Sequence, residues 1–283
     1  YTTLFRSGSP VAHSISPLMH NESFRLLGLD YVYLCFDVNE ETLPAAVAGL
    51  KTCGIRGFNL TMPNKNKIVE LLDDLSPEAQ LIGAVNTVLN DNGKLIGYNT
   101  DGYGFMQSVR DAGHDITGKN ITVMGVGGAS MAICAQSALD GAASVHIFAR
   151  RTSRYWNRTQ KFAENLSAKT GCQVCLFDND DHTALRDSIA QSYLLINATS
   201  VGMVPDIDDT IIKDTSLFHP ELVVADVVYE PQETRLLREA KAAGCQTFNG
   251  MYMLLHQGAK AFQIWTGQEM PVSVIKEKYF SVK

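Results

Sequence analysis

Two short stretches in the first part of the chain carry side chains that can move a proton. Lys65 ends the stretch Asn59-Leu60-Thr61-Met62-Pro63-Asn64-Lys65, and Asp101 lies within Asn99-Thr100-Asp101-Gly102. A lysine beside a carboxylate can act as acid and base toward a hydroxyl group, because the carboxylate positions the ammonium group and stabilises its charge. On spacing alone, a solvent-facing Lys65 and a turn-forming Asp101 explain the pattern better.

A glycine-rich turn supplies the second chemical signal. Gly125-Val126-Gly127-Gly128-Ala129-Ser130 follows an apolar strand pattern and precedes a helical one. Gly125 allows a tight bend, Gly127 lets the backbone approach a pyrophosphate, and the helix start directs free N–H groups at the phosphates. This context predicts a dinucleotide site at Gly125, Gly127, Gly128 and Ala129, with a plain tight turn as the alternative. An acid–base pair together with a dinucleotide that carries hydride describes a dehydrogenase.

The end of the next strand indicates which dinucleotide binds. Arg150, Arg151 and Thr152 follow the strand predicted at 144–149, where folds of this type meet the adenosine ribose. An acidic residue there binds the free ribose hydroxyls of NAD, whereas arginines and a hydroxyl suit the 2′-phosphate of NADP. We therefore predict NADP, with NAD as a second coenzyme and a solvated basic loop as the alternative without a ligand.

Strand and helix patterns alternate along the chain, which predicts an α/β fold. In the first part, strands are expected at 31–36, 57–61 and 95–98 and helices at 18–28, 42–50 and 67–74, with a hairpin turn at Asp91-Asn92-Gly93. Further on, strands are expected at 121–124, 144–149, 194–197 and 223–228 and helices at 131–139, 158–168, 183–191, 233–243 and 250–263. We predict an N-terminal α/β substrate domain at 1–103, completed by C-terminal helices within 246–283, and a Rossmann-type, doubly wound dinucleotide-binding domain at 104–245.

The composition argues against several classes of function. The formal net charge is -6, whereas nucleic-acid-binding proteins normally carry a basic patch. No apolar run reaches the roughly 20 residues of a membrane span, and the opening Tyr1-Thr2-Thr3-Leu4-Phe5-Arg6 lacks the apolar core of a signal peptide, so a cytoplasmic location is expected. The cysteines are scattered, and the close pair Cys172 and Cys175 lacks the second pair of a zinc site, so no metal is predicted. A small-molecule substrate and a homodimer are the expected partners.

Two serines stand just before the first predicted helix. Ser14 and Ser16 are separated by one residue in His13-Ser14-Ile15-Ser16-Pro17. Their hydroxyls can cap the helix or bind a carboxylate, and capping is the simpler interpretation from the sequence alone.

Taken together, these segments resemble the shikimate dehydrogenase family, and in particular its quinate/shikimate dehydrogenase branch. Each segment alone is weak evidence, but their common order along nearly the whole chain is specific. The matching segments are His13-Ser14-Ile15-Ser16-Pro17, Asn59 to Lys65, Gly83-Ala84-Val85-Asn86-Thr87, Gly97-Tyr98-Asn99-Thr100-Asp101-Gly102, the glycine turn, Asn197-Ala198-Thr199-Ser200-Val201-Gly202-Met203, Asp226-Val227-Val228-Tyr229, Gly250-Met251-Tyr252-Met253-Leu254 up to Gln257, and Trp265-Thr266-Gly267.

The resemblance implies the reversible oxidation of a ring hydroxyl of shikimate to the ketone of 3-dehydroshikimate, or the equivalent reaction of quinate, against a nicotinamide. This reaction belongs to aromatic amino acid biosynthesis through the shikimate pathway. The resemblance makes Lys65 and Asp101 the catalytic pair. It also implies that Ser14 and Ser16 hold the substrate carboxylate, that Thr61, Asn86, Asp101 and Gln257 hold ring hydroxyls, that Tyr33 and Thr100 make further substrate contacts, and that Tyr229 lines the coenzyme site.

The segment Ala149-Arg150-Arg151-Thr152 departs from the family pattern. The family often has Asn-Arg-Thr here for NADP, and the quinate-using branch has Asn-Arg-Arg-Asp, whose acid favours NAD. The arginine pair without the acid favours NADP and leaves use of both coenzymes open. Met62-Pro63-Asn64-Lys65 looks more like the quinate/shikimate branch, so the substrate and coenzyme signals point in different directions.

Two alternatives remain. The chain can be a relative that acts on another hydroxylated ring carboxylate, such as an amino-substituted ring, and a substrate panel separates this from shikimate or quinate oxidation. It can also be a nucleotide-binding protein without catalysis, which the presence of both Lys65 and Asp101 disfavours. The fold alone decides neither, because this architecture hosts many functions.

Overall fold

The structure is a computed structural model that describes residues 2–8 and 14–280, and the chain divides into two compact units. The first unit comprises Tyr1–Gly104 and Leu254–Lys283, and the second comprises Phe105–Met253.

The first unit contains a mixed six-stranded sheet in the order β2-β1-β3-β5-β6-β4. Strands β2 and β3 are parallel to β1, whereas β5 is antiparallel to both β3 and β6. Its elements are, in chain order, β1 (Thr2–Gly8), α1 (Ser16–Leu27), β2 (Tyr31–Asp37), α2 (Leu43–Thr52), β3 (Gly57–Leu60), a 3₁₀ helix (Lys67–Leu71), β4 (Asp74–Leu75), α3 (Pro77–Ile82), β5 (Thr87–Asp91), β6 (Lys94–Tyr98) and α4 (Asp101–Asp111).

Residues with positive φ mark two of these boundaries. Helix α1 ends where Gly28 adopts a left-handed conformation with φ 64°, and the β5–β6 hairpin turns at Asn92 and Gly93, whose φ values are 52° and 93°. The single helix predicted at 67–74 is wrong. Its first part is a 3₁₀ helix, and its end is strand β4, because Asp74 and Leu75 pair with β6.

The second unit is a doubly wound fold, as predicted. Its six strands are all parallel, in the order β12-β11-β10-β7-β8-β9. The elements are β7 (Asn120–Met124), α5 (Gly128–Leu139), β8 (Ser144–Ala149), α6 (Trp156–Thr170), β9 (Gln173–Asp178), α7 (His182–Gln191), β10 (Leu194–Asn197), a 3₁₀ helix (Thr215–Leu217), β11 (Val223–Asp226), α8 (Arg235–Ala242) and β12 (Gln246–Asn249). Strand order reverses at β7, and ligands of such sheets bind beyond the carboxyl ends of the strands at this point.

The C-terminal part differs from the expected division in one respect. Residues 246–249 were expected to belong with the substrate domain, but they form β12, which pairs with β11 in the second sheet. This strand has four residues and polar ends, so it gives no strand pattern in the sequence. Helices α9 (Met251–Thr266) and α10 (Val272–Tyr279) follow, and Trp265 of α9 donates a hydrogen bond of 2.9 Å to the Val88 carbonyl in β5.

Among the described residues, no helix is long and apolar enough to cross a membrane. Over the same residues, no group of three or more His, Cys, Asp or Glu side chains is arranged to hold a metal ion.

Candidate active site

Lys65 and Asp101 form an ion pair in the first unit. Lys65 Nζ lies 2.6 Å from Asp101 Oδ2, and the two side chains are 22% and 11% exposed. Lys65 follows β3, whereas Asp101 begins α4, where its backbone N–H donates to Asn99 Oδ1. Spacing alone favoured a solvent-facing Lys65 and an isolated Asp101 in a turn. The structure instead pairs the two side chains.

Asn86 holds the other oxygen of Asp101. Its Nδ2 donates to Asp101 Oδ1 at 2.8 Å and to Thr100 Oγ1 at 2.9 Å. The backbone N–H of Thr100 donates to Asn86 Oδ1 at 2.9 Å. Because a backbone N–H can only donate, this contact fixes which end of the Asn86 amide faces Asp101. Both carboxylate oxygens of Asp101 thus accept hydrogen bonds.

Behind Asn86 lies a buried line of hydrogen bonds that the sequence did not predict. Thr87 Oγ1 donates to Asn86 Oδ1 at 3.0 Å and accepts from Asn59 Nδ2 at 2.9 Å. Asn59 also donates to the Asn86 carbonyl, which fixes its own amide. The signal for these residues was their position in the matched segments, on β3 and β5, which pair at Asn59 and Thr87.

Tyr33 stands at the far end of this line. The family resemblance makes it a substrate contact, but the structure buries its side chain, 1% exposed, and its hydroxyl donates to Asn59 Oδ1 at 2.7 Å. Burial raises the pKa of Tyr33, so the phenol keeps its proton and acts as a donor. Tyr33 therefore contacts Asn59, which in turn binds Asn86 beside the catalytic pair. The sequence shows only an aromatic residue on a strand and does not reveal this contact.

The remaining predicted substrate residues lie in the same unit. Ser14 Oγ accepts the N–H of Ser16 at 3.2 Å just before α1, but this is a local turn contact. The N-cap residue of α1 is Ile15, and no side chain caps this helix, so the capping that the sequence favoured is wrong. Ser16 is buried, and its hydroxyl accepts from Arg6 at 3.0 Å. Thr61 is half-buried directly after β3. Gln257 is buried on α9 and donates to the Leu254 carbonyl of its own helix at 2.9 Å.

The second unit has a pocket of about 610 Å³ beside the glycine turn. Gly125 has φ +112°, and a Cβ atom there would lie 2.8 Å from Thr199 Cγ2, so this position requires glycine. A Cβ at Gly127 or Gly128 would meet no atom within 4 Å, which leaves open space in front of the start of α5. The pocket is lined by Gly127, Gly128, Ala129, Ala198, Thr199, Ser200, Met203, Val204, Val227, Val228, Tyr229 and Glu230.

This pocket fits a dinucleotide. Open space before a helix N-terminus lets phosphate oxygens reach free backbone N–H groups, and the walls offer apolar side chains for a flat ring. Tyr229, predicted to line the coenzyme site, is one of those walls and is 42% exposed.

The predicted arginines follow β8. Arg150, Arg151 and Thr152 are all exposed. The Arg151 guanidinium lies over the Trp156 ring, 4.9 Å from its centroid, and the Arg151 backbone N–H donates to Asp178 Oδ1 at 3.3 Å. An exposed guanidinium held over an aromatic ring is a suitable ligand for a phosphate group.

Comparisons with known proteins identify relatives that match nearly the whole chain. Residues 7–88 match the family described as shikimate dehydrogenase substrate binding domain, and residues 250–278 match the shikimate 5'-dehydrogenase C-terminal domain. A protein of Listeria innocua serovar 6a named shikimate dehydrogenase (NADP(+)) is 52% identical over 272 residues, which cover 96% of this chain and 93% of the relative.

Two solved structures have the same fold. Shikimate 5-dehydrogenase from Listeria monocytogenes, in complex with shikimate and NAD, has a TM-score of 0.94 and 50% identity, and the match covers 97% of this chain and 95% of that one. Quinate dehydrogenase from Corynebacterium glutamicum, in complex with NAD, has a TM-score of 0.86 and 30% identity and covers 99% of both chains.

Proposed function

The chain belongs to the shikimate dehydrogenase family, and from that premise we propose that it reversibly oxidises shikimate to 3-dehydroshikimate with NADP as the preferred coenzyme. The observation that carries the proposal is the 2.6 Å pair of Lys65 and Asp101, in which Asn86 holds the second carboxylate oxygen. Lys65 and Asp101 supply the proton chemistry, and the pocket beside the glycine turn supplies a coenzyme site.

Lys65 is the general acid and base. When shikimate is oxidised, the proton of the reacting hydroxyl passes to the neutral amine of Lys65, and in the reverse direction the ammonium group returns a proton to the ketone oxygen. A nicotinamide dinucleotide supplies the hydride acceptor. Asp101 keeps the Nζ atom in place, because its Oδ2 accepts a hydrogen bond of 2.6 Å from Lys65.

Substrate recognition is assigned to polar groups of the first unit. Asn86, Thr100 and Asp101 form one hydrogen-bonded group that offers donors and acceptors to ring hydroxyls, with Thr61 and Gln257 as further contacts. Ser14 and Ser16 receive the carboxylate at the start of α1. A site built from such directed groups rejects analogues that lack a hydroxyl, because its buried polar atoms are then left unpaired.

The coenzyme is assigned to the second unit. Gly125, Gly127, Gly128 and Ala129 form the phosphate-binding turn, and Tyr229 lies in the pocket wall. Arg150, Arg151 and Thr152 recognise the 2′-phosphate, which supports NADP over NAD. The name of the Listeria innocua relative, which specifies NADP(+), is consistent with this preference.

A four-way comparison of kcat/KM tests the proposal. Initial rates are measured for the oxidation of shikimate and of quinate, each with NADP and with NAD. We expect the highest kcat/KM for shikimate with NADP. Comparable quinate turnover or a preference for NAD would contradict the assignment and move the chain to the quinate-using branch, to which the Corynebacterium glutamicum enzyme belongs by name. The cytoplasmic location and the homodimer stay predictions.

A further inference from the structure

We propose that Asp226 is a positioning residue for the coenzyme, because its carboxylate joins the two loops that form the apolar wall of the pocket beside the glycine turn. The inference rests on the proposed function, since it takes a nicotinamide dinucleotide as the occupant of that pocket. Asp226 ends β11 and is fully buried, and it is not itself among the residues that line the pocket. It must therefore act through the residues around it.

Both loops begin at the carboxyl ends of neighbouring strands. The loop after β10 contributes Ala198, Thr199, Ser200, Met203 and Val204 to the pocket, and the loop after β11 contributes Val227, Val228, Tyr229 and Glu230. Asn197 and Asp226 are the last residues of the two strands and are paired in the parallel register. A link between these two side chains thus fixes one loop relative to the other.

The Asp226 carboxylate accepts three hydrogen bonds. Its Oδ1 accepts from Asn197 Nδ2 and from the backbone N–H of Val228, both at 2.9 Å, and its Oδ2 accepts from Thr234 Oγ1 at 2.8 Å. The Val228 contact fixes the start of the β11 loop, and the Thr234 contact joins that loop to the residue that caps α8. One carboxylate therefore connects β10, the β11 loop and α8.

Asn197 extends the connection to the other wall of the pocket. Its Nδ2 also donates to the Val201 carbonyl at 3.1 Å, and its Oδ1 accepts from the backbone N–H and the hydroxyl of Thr199 at 3.1 and 2.6 Å. Thr199 in turn packs against Gly125, where an added Cβ would lie 2.8 Å from its Cγ2. We call Asn197, Thr199, Asp226 and Thr234 the Asp226 cluster; it joins both loops and contacts the glycine turn.

The chemistry of the cluster supports positioning rather than stabilisation. All three donors to Asp226 are neutral groups, and burial raises the pKa of its carboxyl to about 6. A buried carboxylate is a poor source of stability, because desolvation of its charge is costly. Its directed hydrogen bonds instead hold the surrounding loops in one geometry, which a hydrophobic side chain of similar size does not do.

The two halves of the coenzyme should bind to different parts of the second unit, so ligands with and without the nicotinamide can be compared. The glycine turn and the arginines after β8 hold the pyrophosphate and the adenosine, so the loops joined by Asp226 are left for the nicotinamide half. Disturbing Asp226 should weaken binding of the whole dinucleotide and spare adenosine 2′,5′-bisphosphate, which lacks the nicotinamide. A purely structural role of Asp226 would weaken both ligands together.

Calorimetric titration of the full chain tests this with NADPH and with adenosine 2′,5′-bisphosphate. Asp226→Ala should weaken NADPH about tenfold, as expected when buried hydrogen bonds no longer fix the wall, and change the shorter ligand less than about twofold. Asp226→Asn should restore NADPH binding to within about threefold, because an amide oxygen still accepts from Asn197 and Val228 while Thr234 accepts from the amide.

Two further variants keep the test decisive. Thr122→Val removes a buried 2.7 Å hydrogen bond to Ser192 elsewhere in the second unit, so it should lower the melting temperature and leave both affinities unchanged. If Asp226→Ala does not fold, Thr234→Val removes a single donor and should weaken NADPH alone by about twofold to fivefold.

Unchanged NADPH binding by Asp226→Ala, or equal weakening of both ligands, would overturn the positioning role and leave the proposed function intact. A wild-type protein that binds neither ligand would overturn the coenzyme assignment itself, and the positioning role with it.

Discussion

Replacing Asp226 by asparagine should change how the free energy of unfolding depends on pH. Burial raises the pKa of Asp226 to about 6 from its ordinary 3.8, although Val228, Thr234 and Asn197 donate to it. Between these two values the folded protein keeps a proton that the unfolded chain has released. The contribution to stability is therefore complete below pH 3.8 and is lost as the pH rises through about 6.

The size of the effect follows from the two pKa values. Each pKa unit by which the folded and unfolded states differ corresponds to about 1.36 kcal/mol of unfolding free energy. A difference of about 2 units therefore corresponds to about 3 kcal/mol over the full titration. The Asp226→Asn protein does not titrate at this position. The free energy of unfolding of the wild type minus that of the variant should accordingly fall by about 2 kcal/mol between pH 4 and pH 7, because the unfolded chain has already released part of this proton at pH 4.

Urea unfolding of both proteins, followed by circular dichroism in steps of one pH unit from pH 4 to pH 7, measures this difference. Subtracting the variant removes the titration of all the other groups, which the two proteins share. A difference that stays constant across this range would refute the reasoning, since it would mean that the cluster does not hold the Asp226 carboxyl in a desolvated environment.

Three further substitutions test other parts of the account. Trp156→Ala should lower kcat/KM with NADP about twofold to fivefold and spare NAD, because the ring no longer holds the Arg151 guanidinium; equal loss with both coenzymes would contradict this. Gly125→Ala should weaken NADPH at least about tenfold in calorimetry, because its Cβ would meet Thr199 at a positive φ, and unchanged affinity would show that the turn can adjust. Asn86→Ala leaves Asp101 Oδ1 without its 2.8 Å donor and should lower kcat about tenfold to a hundredfold in steady-state assays, whereas wild-type kcat would show that the amide is dispensable.

The sequence predicts the elements whose signals are local. The glycine turn, the hairpin at Asn92 and Gly93 and the long helices all follow from patterns within a few neighbouring residues, and the structure contains them. Strands β1, β4, β9 and β12 and helices α3 and α4 are missing from the prediction. Strands β4 and β12 are too short to show a period of two, and their pairing with β6 and β11 is a property of the sheet.

The candidate site shows the same division. Lys65 and Asp101 can be chosen from their residue types and the family resemblance, but their 2.6 Å approach spans 36 positions of sequence. Asn59 and Thr87 contact Asn86, the residue that holds Asp101, and neither has a reactive side chain, so nothing in their type draws attention to them. Asp226 is missed for a related reason, because its importance comes from donors that lie on three different elements.

The most direct test of the central claim is the turnover of shikimate by Lys65→Met protein. Methionine keeps much of the length and apolar stem of lysine but cannot accept or donate the proton. With saturating shikimate and NADP, kcat should fall by about 10²- to 10⁴-fold, while the affinity for NADPH, measured by calorimetry, should stay unchanged. A variant that retains near wild-type kcat would contradict the assignment of Lys65 as the acid and base of the reaction.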